Sequence, residues 1–97
     1  METQVSPNQL DRIVTIIRQH LPRCKIWLFG SRIKGTARTY SDLDVALLNP
    51  DPISLSILAI LEEQLAETDI PFIIDIVDWN RVSKEFQSHI EDQHIEV

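Results

Sequence analysis

The chain is short of several things, and each shortage excludes a class of protein. It has one cysteine, Cys24, in 97 residues, so no internal disulfide can form and a reducing compartment, the cytoplasm, is the simplest setting. No apolar run approaches the roughly 20 residues that a membrane span requires. The opening Met-Glu-Thr-Gln-Val has no basic start leading into an apolar stretch, so no secretory leader is expected. Positive charge is scarce: nine Lys and Arg against fifteen Asp and Glu give a net charge of −6, which argues against a binder of duplex nucleic acid. Trp27 and Trp79 are isolated and make no stacking platform; they read as core or edge aromatics. His20, His89 and His94 share no metal-ligand spacing and are assigned to helix surfaces. No Ser, Cys or His forms a recognisable nucleophile–base pair, and neither an internal repeat nor a low-complexity segment is present.

What remains is an ordinary globular composition, 43% hydrophobic and 25% charged, over a length that suits one domain spanning residues 1–97. A chain of this size buries roughly two-thirds of its unfolded surface, enough for a core without staples. "SPNQLDRIVTIIRQHL" offers Ser6 as N-cap, Pro7 at the first helical position and Gln9 to complete a capping box. Leu10, Ile13, Val14, Ile17 and Leu21 then recur at helical spacing, and Pro22 ends the helix. "KIWLF" and "SDLDVALL" read as strands flanking a turn and brief helix at "GSRIKGTA". Asp51-Pro52 suggests the start of a helix from Ile53 to about Ala66. Its apolar residues fall on two faces, the second available to a partner. "PFIIDIV" is a third strand, and Asn80 is expected to cap a last helix carrying Val82, Phe86 and Ile90. The tail "HIEV" is expected to fray. The order αβ(α)βαβα specifies an α+β fold: a small mixed sheet with helices packed on one face.

Charge is unevenly spread along this order. Residues 1–40 hold seven Lys or Arg against two acids, whereas residues 41–97 hold two against thirteen. Arg12, Arg18 and Arg23 read as solvated helix and loop residues. Arg32, Lys34 and Arg38 gather just after Gly30, which suits a small anionic ligand. Glycine directly after an apolar strand lets backbone amides approach such a ligand. If Ser31 begins a short helix, its hydroxyl and the first amides point at the same place. Arg32 would then grip a phosphate oxygen and Lys34 would add a point charge. "GSRIKGT" keeps the glycine spacing of a P-loop but has Thr36 where the phosphate-holding Lys belongs, so a P-loop is rejected. A plain strand-to-helix turn is the competing reading.

The acids decide between them. In a strand, Asp42 and Asp44 share a face while Leu43 and Val45 point into the core. Asp75 is flanked by apolar residues in "FIIDIV". If its strand lies beside that of Asp44, three carboxylates converge. Their mutual repulsion in a cleft requires compensation. Magnesium accepts carboxylate oxygens and keeps positions open for substrate phosphates, and two such ions suit phosphoryl or nucleotidyl transfer. Asp78, before Trp79-Asn80, reads instead as a strand-end or capping acid.

Gly30-Ser31, ten residues, Asp42-Leu43-Asp44 and a later strand bearing Asp75 resemble the nucleotidyltransferase superfamily with the DNA polymerase β-like palm, closest to its minimal nucleotidyltransferases. The resemblance runs from about the first helix to "DIVDWNRVSKEF". It implies that Gly30 and Ser31 hold the phosphates of ATP or another nucleoside triphosphate, with Arg32 and Lys34 as further phosphate contacts. It also implies that Asp42, Asp44 and Asp75 are the catalytic acids and bind Mg2+, two ions in all, with Asp75 helping to deprotonate an acceptor hydroxyl. Minimal members act as antitoxins beside a helical HEPN partner, and some transfer AMP to a tyrosine of it. The expected activity is therefore transfer of AMP to such a partner. The rivals are a non-catalytic module that neutralises its partner by occlusion, and transfer to a small molecule such as an aminoglycoside in a pocket completed by a homodimer.

Overall fold

A computed structural model describes residues 5–35 and 41–97; Thr36 and Arg38, named above, lie outside the described residues. Among the described residues four helices and four strands alternate: α1 (Pro7–His20), β1 (Lys25–Phe29), α2 (Ser31–Lys34), β2 (Leu43–Leu48), α3 (Leu55–Ala66), β3 (Ile74–Asp78), α4 (Lys84–Asp92) and β4 (Ile95–Glu96). A 3-10 turn, Trp79–Arg81, follows β3. The capping box of α1 forms as expected, with Ser6 and Gln9 bonded reciprocally.

The strands lie in the order β3-β2-β1-β4. β1 is antiparallel to both β2 and β4, and β2 is parallel to β3 through the α3 crossover. Alternation gives the sheet two unlike faces. Ile26, Leu28, Leu43, Val45, Leu47, Ile74 and Ile76 form one, all buried. They pack in one core with Ile13 and Ile17 of α1 and Leu61 and Leu65 of α3. Burying each such side chain contributes about 1.5–3 kcal/mol before the entropy of ordering is subtracted. His20 of α1 bonds Gln64 of α3 at 3.0 Å, tying the two helices together. Cys24 is buried, and desolvation pushes its thiol up to about 11. Among the described residues, no helix is long and apolar enough to cross a membrane.

The mixed sheet and the two long helices on one face match the sequence reading; α4 goes beyond it. Its Phe86 ring meets Phe29 edge-on at 5.8 Å. Phe29 points away from the Ile26–Leu28 face, so α4 covers part of the opposite one.

Three boundaries differ from expectation, each for a local reason. Ser54, not Asp51, caps α3, because its hydroxyl accepts the Ile57 amide. Ser83, not Asn80, caps α4 by accepting the Phe86 amide, so Val82 stands outside that helix. The tail does not fray. Val97 donates its amide to Ile26 O at 3.0 Å, and Trp27 Nε1 donates to Glu96 Oε1 at 2.8 Å. His94 lies beyond α4 rather than on a helix surface, stacked on Trp27 at 3.7 Å. Trp27 also meets Trp79 edge-on at 5.3 Å.

Candidate active site

β1 ends at Phe29, and the chain turns at Gly30 with φ 86° and ψ −162°. Only glycine adopts that pair of angles comfortably. A second constraint acts at the same atom. A Cβ on Gly30 would collide with Asp44 Oδ2 and lie 3.0 Å from Asp44 Cγ. The turn and the acid strand therefore touch with nothing between backbone and carboxylate. α2 starts at Ser31, and the Ile33 and Lys34 amides both return to Gly30 O at 3.2 Å.

The register supplies the next acid. Asp44 is the direct partner of Asp75 across the parallel β2–β3 pair, and of Phe29 across β1. Residues paired in register point to the same face, so Asp44 and Asp75 share the face opposite the main core. Asp44 is half-buried and Asp75 exposed. Asp42 precedes β2 and is exposed, so it is not the in-strand partner of Asp44 that alternation suggested. Its neighbour Leu43 starts the strand by donating its amide to Ile73 O at 2.9 Å. Burial holds the Asp44 carboxyl above its ordinary range, and the charges of Asp75 and then Asp42 push it further the same way. Asp44 thus lies against Gly30 and within the electrostatic reach of both other acids.

That donor set fits a hard divalent cation: oxygen ligands only, with a half-buried carboxylate whose charge two neighbours oppose. Among the described residues, no three acidic, His or Cys side chains are gathered closely enough to hold an ion by themselves. Water and substrate phosphate would supply the remaining ligands, as Mg2+ commonly requires.

The cations divide. Lys34 is exposed and lines a hollow of about 240 Å³ with Phe29, Gly30, His89, Asp92 and Gln93. His89, which the sequence gave no reason to place near the turn, arrives there because α4 packs on Phe29. Arg32 is buried, with its Nε donating to Ser41 O at 2.8 Å and its Cζ 3.8 Å from the centre of the Phe72 ring. It is thus packed within the protein rather than extended toward a phosphate.

Asp78 is structural, as its position suggested. It is buried and accepts the Ile53 amide at 2.9 Å, the Asn80 amide at 3.0 Å and Arg81 Nε at 3.1 Å. Asp78→Ala strands the buried Ile53 amide, and an unmade bond of that kind costs about 1–3 kcal/mol. Urea unfolding is expected to show that loss.

A glycine turn pressed against a carboxylate that stands in register with a second one, on a mixed sheet with an α3 crossover, is the architecture of a nucleotidyltransferase palm. The chain belongs to the polymerase beta nucleotidyltransferase family, whose model matches residues 11–97. It is 33% identical over 94 residues to a probable protein adenylyltransferase, MntA, of Haemophilus influenzae, covering 97% of this chain and 82% of that protein. It resembles a chain in the crystal structure of a toxin–antitoxin with AMP-PNP, with a TM-score of 0.78 and 28% identity over 89% of this chain and 69% of that one. It also resembles a chain in a complex of a tri-AMPylated Shewanella oneidensis HEPN toxin with its MNT antitoxin, with a TM-score of 0.69 and 25% identity over 89% and 66% of the two chains.

Proposed function

We propose that this protein is a Mg-dependent adenylyltransferase that moves AMP from ATP to a hydroxyl of a HEPN-type partner toxin in the cytoplasm, and so acts as its antitoxin. The observation that carries this is the contact of Asp44 with Gly30 while Asp44 stands in register with Asp75. The kinship with an adenylyltransferase and with chains of toxin–antitoxin complexes supports the choice of nucleotide and partner.

On this reading Gly30 and Ser31 seat the β- and γ-phosphates, and Lys34 adds charge from the rim. Two Mg2+ ions held by Asp42, Asp44 and Asp75 would neutralise the triphosphate and the departing pyrophosphate. Asp75 is exposed, so an incoming acceptor can reach it. It takes the hydroxyl proton as the acceptor oxygen bonds to the α-phosphorus and the bond to pyrophosphate breaks.

The test is incubation with α-labelled ATP, Mg2+ and the purified partner. Label is expected in the partner with the native chain and none with Asp44→Ala; absence of label with both sinks the reading. A second reading, neutralisation by occlusion, has one observation in its favour: α3 leaves Leu55 70% and Ile60 40% exposed. It requires Asp42→Ala plus Asp44→Ala to protect cells from the toxin as well as the native chain does.

A further inference from the structure

Arg32, buried beside the Gly30–Ser31 turn, touches both the segment leading to Asp42 and the segment leading to Asp75. It is the second residue of α2, one position past Ser31, and it is 6% exposed. Its Nε donates to the carbonyl of Ser41, whose next residue is Asp42, at 2.8 Å. Its Cζ lies over the Phe72 ring, 3.8 Å from the centre. Phe72, three residues ahead of Asp75, leads through Ile73 into β3. Ile73 O in turn accepts the amide of Leu43, at the start of the strand carrying Asp44.

We infer that Arg32 is a positioning residue. It fixes the Ser41–Asp42 segment and the entry to β3 against the Gly30–Ser31 turn, and so sets the spacing of the acids around the site. The chemistry requires arginine. A planar, permanently charged group can stack on an aromatic face while its Nε donates sideways in the guanidinium's own plane; a lysine ammonium offers neither the plane nor that donor. Outer groups that orient ligands in this way commonly change metal affinity by 10–100-fold. The inference deepens the nucleotidyl-transfer reading of the same site, yet its central readout does not depend on transfer.

The experiment compares the native chain with Arg32→Lys and Phe72→Leu. Mn2+ binding is measured by titration without nucleotide, kcat and KM for ATP by transfer to the partner, and folding by thermal melting. Arg32→Lys is expected to weaken Mn2+ binding about 10-fold or more. It should lower kcat about 100-fold, the scale of a 1 Å misplacement, with KM for ATP within about 3-fold of native by the same reasoning. Phe72→Leu, which keeps an apolar residue, should move Mn2+ binding and kcat the same way by less. It carries the test if Arg32→Lys does not fold. A 10-fold rise in KM with native Mn2+ binding would make Arg32 a phosphate ligand and overturn the inference. A lower melting temperature with native kcat and Mn2+ binding would make it a mere packing residue, which also overturns it. If the native chain transfers nothing but Arg32→Lys still weakens Mn2+ binding, the positioning role stands and the transfer reading falls.

Discussion

Replacing Gly30 by alanine is expected to abolish nucleotidyl transfer and to destabilise the protein severely. Two independent costs meet at that residue. The backbone angles of φ 86° and ψ −162° charge an L-residue about 1–3 kcal/mol. The new methyl also collides with the Asp44 carboxylate, and overpacking of this kind costs about 1–3 kcal/mol more. Together they remove a large share of the 5–15 kcal/mol typical of a domain. The second cost is separable from the first. Asp44→Ala in the Gly30→Ala background removes the carboxylate that the methyl strikes. The double variant should therefore be more stable than the sum of the two single effects gives, by about 1–3 kcal/mol. Transfer should not return, because the carboxylate is gone. Urea unfolding of the four proteins measures the coupling directly. Additive losses would mean that turn and strand do not press on one another in solution.

That coupling also marks where the sequence stops being readable. Local patterns carried the elements. Ser6, Pro7 and Gln9 announce α1, and apolar runs broken by lone acids mark β2 and β3. What sequence could not convey is the lateral order of strands and the residues that meet across it. The pairing of Asp44 with Asp75 was conditional on β2 and β3 being neighbours, and the α3 crossover supplies that condition. The tail was misread because two residues of strand carry no periodicity, and only the open edge of β1 gives them a partner. Ser54 and Ser83 displaced Asp51 and Asn80 as caps because capping depends on where a helix axis begins. At both starts it is a serine hydroxyl that accepts the amide three residues on. Arg32 shows the same limit at the site. Its charge suggested a ligand, but nothing local discloses that Phe72, forty residues on, lies beneath its guanidinium.

The acid strand leads to a result in which activity and stability move in opposite directions. Asp44→Asn is expected to cut nucleotidyl transfer by about 10³-fold or more, the scale of the several kcal/mol that a metal site supplies to such a step. In metal-free buffer at neutral pH the same variant should melt at a higher temperature than the native chain. Burial, Asp75 and Asp42 hold the Asp44 carboxyl above its ordinary range, so the folded state binds its proton more tightly than the unfolded chain does. Stability is therefore lost as pH rises from the ordinary carboxylate value of about 3.9 through the raised folded value, and at neutral pH the full cost is present. An amide carries no charge and escapes that cost. The advantage of Asp44→Asn should accordingly shrink as pH falls through the same interval and vanish below about pH 4. Added Mg2+ should reverse the order, because an ion that binds only the folded native site stabilises it by mass action. Melting curves at several pH values, with EDTA and with Mg2+, read all three effects in one series. A variant less stable than native at neutral pH in EDTA would show that Asp44 is a structural acid like Asp78, and the site would lose its central carboxylate.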